Sequence, residues 1–162
     1  MNAATAVLLS VLVLHPAAAA QVVTTGRVPP AVTQAWQRRF PGVRRVEWKI
    51  KSDRNYEAEF TRQGADIAAK FDSAGTWLET ESAISRSRLP EAVRRALAAR
   101  FGGHRIVETQ ILERRDAPHP IYEVHVENAT ETVKVELTAD GGVVSQSAKA
   151  KPAGSSPRRR LP

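Results

Sequence analysis

Tyr56-Glu57-Ala58-Glu59-Phe60 and, 66 residues further on, Tyr122-Glu123-Val124-His125-Val126 decide the fold of this chain. Each alternates side chains suited to a core with side chains suited to water. That period of two belongs to a strand with one buried and one wet face. The match continues at the same spacing, where Ile67, Ala69 and Phe71 fall on Val133, Val135 and Leu137. Upstream, Val28-Pro29-Pro30-Ala31-Val32 returns 61 residues later as Leu89-Pro90-Glu91-Ala92-Val93. At that offset Trp36, Phe40 and Gly42 fall on Leu97, Phe101 and Gly103. Self-similarity over this length marks a repeated supersecondary unit.

Each unit opens with a helix. Pro30 and Pro90 suit a first helical turn, where a missing N–H costs nothing. Val32, Ala35, Trp36 and Phe40 form one apolar stripe at helical spacing, as do Val93, Ala96, Leu97 and Phe101. Pro41-Gly42 and Gly102-Gly103 end the helices. Four strands follow in each unit. In the first they are centred on Val46–Ile50, Tyr56–Phe60, Ile67–Phe71 and a short strand from Thr76 or Trp77. In the second they are Val107–Ile111, Tyr122–Val126, Val133–Leu137 and Val143–Ser147. The change of offset from 61 to 66 places an insertion, read as a longer loop, around Arg114–Pro120. The expected fold class is α+β: a tandem α-β-β-β-β repeat over residues 28–83 and 89–148. Short connections imply antiparallel strands, up to eight in all, with one helix per repeat covering the apolar face.

The flanks read differently. Residues 1–20 have the apolar run and the Ala18-Ala19-Ala20 end of a signal peptide cleaved near Ala20, although Met1-Asn2 carries no basic side chain. The apolar run is shorter than the roughly 20 residues a membrane span needs, so no stable membrane insertion is expected after cleavage. Residues 21–27 read as a polar linker, and 149–162 as a disordered basic tail. The net charge is +7, but five of the 24 basic residues lie in that tail; the remaining 19 face 17 acidic ones. Basicity is thus a property of the tail, and nucleic acid is not the expected partner. With no cysteine, thiol catalysis, thiolate metal sites and disulfides are excluded.

The Val-Pro-Pro-Ala-Val helix start, the Phe40-Pro41-Gly42 stop, the Tyr56-Glu57-x-x-Phe60 strand, the Phe71-Asp72-x-x-Gly75 turn and its Trp77-Leu78-Glu79-Thr80-Glu81 continuation resemble the PepSY-like proteins of bacterial envelopes. That group is classed with the beta-lactamase inhibitory protein, and the resemblance covers about Val28 to Ser147. It implies a periplasmic or secreted, non-enzymatic protein without cofactor. It also implies recognition or inhibition of another envelope or extracellular protein, a peptidase or other hydrolase among them. The inhibitory protein uses a concave two-repeat sheet as its binding face. Its disulfides have no counterpart here, and no residue of this chain matches a known inhibitory contact.

The polar sheet face is accordingly the expected interaction surface. Strand parity places Glu47, Lys49, Glu57, Glu59, Asp66, Lys70, Glu108, Gln110, Glu123, His125, Lys134 and Glu136 on it. Its acidic excess suits a basic protein or cationic peptide. Partner contacts are expected at Glu57, Glu59, Lys70, Glu123, His125, Lys134 and Glu136, with Trp77 as an exposed aromatic anchor. Two alternatives stand beside this reading. Glu123, His125 and Glu127 alternate along one strand and so share a face, a pattern able to bind a divalent metal or support catalysis. The basic tail could adsorb to anionic surfaces. No nucleophile motif of the G-x-S-x-G or S-x-x-K kind is present.

Overall fold

The computed structural model describes residues 21–152, and the expected signal peptide and residues 153–162 of the basic tail lie outside them. Strand β1 (Gln21–Val23) leads through a 3-10 turn (Thr25–Arg27) into helix α1 (Pro30–Arg39). Strands β2 (Glu47–Ile50), β3 (Tyr56–Arg62), β4 (Ala65–Phe71) and β5 (Trp77–Ala83) follow. A second 3-10 turn (Arg86–Arg88) and helix α2 (Glu91–Phe101) precede β6 (Arg105–Arg114), β7 (Ile121–Glu127), β8 (Glu131–Leu137) and β9 (Val143–Ala150). All nine strands form one antiparallel sheet in sequence order. The fold is therefore α+β, with two α-helices and nine strands among the described residues, one strand more than the eight expected.

The ninth strand comes from the segment read as a linker. Gln21 to Val23 pair with Ile50 to Trp48, and Val23 is buried in the first core. Three residues are too few to show strand periodicity, which hid β1 in the sequence. The tail was likewise drawn too early. Lys149 and Ala150 extend β9 opposite Thr132 and Glu131. Lys151 then donates from Nζ to Glu127 Oε2 at 2.8 Å and to the Asn128 carbonyl at 2.9 Å. The expected longer loop is present between β6 and β7, starting one residue later than expected because β6 runs on to Arg114.

Both helices lie on the apolar face. Pro30 opens α1, whereas Pro90 sits just before the first residue of α2. One core joins Val32 and Trp36 of α1, and Phe40 just after it, to Trp48, Ala58, Phe60, Ala69 and Phe71. The other joins Val93, Leu97 and Phe101 of α2 to Val124, Val126, Val133, Val135 and Leu137. Glycine turns bring the sheet against the start of each helix. Gly75 (φ +84°) and Gly141 (φ +88°) stand where a Cβ would lie 2.5 Å from the Ala31 carbonyl oxygen and 2.8 Å from that of Ala92. Only glycine combines that conformation with that approach.

Candidate functional site

The opposite face of the sheet carries the charge. Side chains of β2 through β8 line one groove of about 730 Å³, among them Glu57, Glu59, Lys70, Glu81, Glu123, His125 and Lys134.

Six of the eight expected contact residues line this groove, Glu136 and Trp77 lying outside it, and several are already paired. Glu57 is buried and accepts a hydrogen bond from Lys51 Nζ at 3.0 Å. Glu59 accepts one from Lys49 Nζ at 2.6 Å, which holds the Lys49 ammonium above its usual range. Lys70 lies 3.6 Å from Glu79. Glu123, buried, is held by His125 Nε2 at 2.8 Å and by Lys134. Burial works against the Lys134 ammonium, but its carboxylate neighbours, Glu123 first, raise its pKa on balance. His125 reaches Glu108 with its other ring nitrogen at 3.1 Å. Glu136, also buried, accepts two hydrogen bonds from Arg114, both 2.8 Å. The expectation of a solvated acidic face is therefore corrected: Glu57 and Glu123 form the floor of the groove and Glu136 is buried beside it, while Glu47, Glu59, Asp66 and Glu108 are its more accessible carboxylates. Lys51, Lys134 and Arg114 reach these carboxylates from outside their own strands, and strand parity alone does not reveal that cover.

Trp77 is the other correction. The β4–β5 ladder pairs Lys70 with Glu79 but Phe71 with Trp77, so one extra residue, Leu78, is bulged out. That bulge turns Trp77 onto the helix side, where it packs on the first core. Its indole donates to Thr80 Oγ1 at 2.8 Å, and the Arg39 guanidinium stacks 3.6 Å from its ring centroid. It is a capped core residue and no exposed anchor.

Three residues of the site escaped the sequence reading. Glu79 and Glu81 join the polar face because the same bulge resets parity after Leu78. Arg114 was assigned to a loop, yet it ends β6 and bridges Glu79 on β5 to Glu136 on β8. Glu81 lies between Ala68 and Leu112 across its two ladders, with no cation in that row. Burial, then repulsion from Glu79 and Glu123, pushes its carboxyl up to about 7. The alternation Glu79-x-Glu81 in sequence was the available signal.

Glu127 does not join Glu123 and His125. Its carboxylate turns to Arg105 and Lys151, which hold its pKa below the usual range, Lys151 contributing most. Among the described residues no three His, Asp or Glu side chains converge as a metal site would require. Among them too, no helix is long and apolar enough to cross a membrane.

Residues 54–144 match a family model described as "Putative beta-lactamase-inhibitor-like, PepSY-like". The search of curated proteins returned no significant match. Among solved structures, a DUF2874 family protein from Bacteroides uniformis is similar with a TM-score of 0.69 at 22% identity, over 74% of this chain and 88% of that one. A "putative periplasmic" protein from Bacteroides eggerthii gives 0.69 at 21% identity, over 75% and 88%. A BLIP-like protein from Bacteroides fragilis gives 0.66 at 24% identity, over 83% and 97%. These likenesses carry the fold.

Proposed function

The chain belongs to the PepSY-like family, and from that premise we propose that it is an exported, non-enzymatic, inhibitor-like protein that holds another envelope or extracellular protein in its charged groove. One observation carries the reading: side chains of seven strands line one groove of about 730 Å³. A surface of that breadth suits a protein loop or a cationic peptide better than a small substrate. The accessible carboxylates Glu47, Glu59 and Glu108 would meet positive groups of the partner, while the paired floor below keeps the geometry fixed. Periplasmic or secreted placement accords with the family and with the periplasmic description of one structural neighbour.

We also read the two helix-plus-four-strand units as products of a duplication. Equivalent bulges between Lys70 and Phe71 and between Glu136 and Leu137 support this, as do the matching approaches of Gly75 and Gly141 to α1 and α2.

The test is capture of partners from an envelope extract by the immobilised protein, beside the double charge reversal Glu59→Lys, Glu108→Lys. The groove reading expects a specific protein retained by the native chain and lost with the reversal. Retention that survives the reversal would sink it.

A further inference from the structure

Aromatic side chains are unevenly spread, with seven of nine in residues 28–83. At the spacings of 61 and 66, Trp36, Trp48 and Phe60 fall on Leu97, Thr109 and Val126. In the first core those three rings meet edge to face, Trp36 with Trp48 at 5.9 Å and with Phe60 at 6.0 Å. The three replacements are far smaller. Protein interiors are close-packed, so a deficit of this size either collapses or stays open. Leu97, Thr109 and Val126 are themselves buried, and a cleft of about 460 Å³, walled in part by Leu97 and Val126, lies beside α2 on the face of the sheet opposite the charged groove.

Its walls are Leu89, Leu97, Phe101, Ile106 and Val126. Arg86 and Arg94 line it too, with Arg94 steadied by a hydrogen bond from Nη1 to the Leu89 carbonyl at 2.8 Å. No carboxylate is among the lining residues. An apolar cavity with two cations and no anion is matched by a molecule with an apolar body and one negative end.

We propose that this cleft binds a fatty acid, its alkyl chain lying against Leu97, Phe101, Ile106 and Val126 and its carboxylate set against Arg86 and Arg94. The volume falls within the roughly 300–1,000 Å³ of small-molecule sites. A carboxylate held by guanidinium groups beside apolar walls forms strong, charge-assisted hydrogen bonds. The chain's own residues 153–162 are a poorer fit. They depart from Lys151 beside Asn128, which contacts His104 on the cleft wall, but they carry Arg158, Arg159 and Arg160. Those cations would confront Arg86 and Arg94.

Dodecanoate, kept below its micelle concentration, is titrated into the full protein and followed by calorimetry and by amide shifts in NMR spectra. The expected result is saturable 1:1 binding with shifts confined to α2, β6 and β7. Dodecylamine, with the same chain and the opposite charge, should bind at least about tenfold more weakly, and Arg94→Gln should weaken dodecanoate by a similar factor. Leu97→Trp, which restores the ring present at Trp36, should abolish binding while the melting temperature holds or rises. Val126→Phe, matching Phe60, gives the same readout should Leu97→Trp fail to fold. The proposal is overturned by absence of saturable binding, by equal affinity for dodecylamine, or by binding that a folded filled variant retains. Binding that appears only after removal of residues 153–162 overturns it too, since the tail would then be the natural occupant.

Discussion

Two residues illustrate how much a single position decides here. Gly75 adopts φ +84° with the Ala31 backbone where its Cβ would be. Gly75→Ala must bear about 1–2 kcal/mol for the left-handed conformation alone, and the clash with backbone adds to it. Urea melts of Gly75→Ala and Gly141→Ala should both show midpoints well below the native protein's; an unchanged midpoint would refute the close approach. Glu81 acts through charge instead. Its folded pKa of about 7 lies above the ordinary 4.5, so the folded state holds the proton more tightly than the unfolded chain does. The associated stability is complete below about pH 4.5 and is lost as pH rises through about 7. Glu81→Gln should therefore gain stability over the native protein at pH 8 and little at pH 4, measured as a pH series of thermal melts. A constant difference across the series would rule out the raised carboxyl.

At the scale of elements, Arg114 joins strands that the ladder alone does not pair. Its guanidinium ties β5 through Glu79 and β8 through Glu136, spanning β7. Removing it leaves the buried Glu136 without its counter-ion. Arg114→Ala should cost about 2–3 kcal/mol, less than the 3–5 of a fully enclosed pair because the Arg114 side chain is 25% exposed. Glu136 itself is held below 4.5, by Arg114 above all, so its contribution is present above that value and lost as pH falls through the folded pKa. In Arg114→Ala the acid-side fall in stability should accordingly be shallower, which the same melts at pH 3 to 5 would reveal. The bulge at Leu78 is the second device at this scale. It sends Trp77 to the core and Glu79 and Glu81 to the polar face, so one extra residue supplies both a packing contact and a carboxyl raised by burial.

The whole molecule has two cores under one sheet. The β5–β6 ladder from Glu79–Arg114 to Ala83–Gln110 makes them continuous. We expect one cooperative transition, and the three tryptophans make it easy to check because all lie in the first half. Tryptophan fluorescence and far-UV circular dichroism should give coincident denaturation curves; separated midpoints would mean that the halves unfold independently. Much of this architecture was legible in the chain. Period-two alternation at Tyr56–Phe60 and Tyr122–Val126, and helical stripes ending at glycine, depend only on local geometry, and they determined the α+β class, both helices and which residues form the cores. Three things were decided by the tertiary structure alone. Short β1 is a strand because Trp48 offers it a partner, the bulge at Leu78 overrides parity, and Glu57, Glu123 and Glu136 are covered by Lys51, Lys134 and Arg114 reaching over them. Each depends on a residue distant in sequence, and alternation along one strand carries no information about what the adjacent strand places beside it.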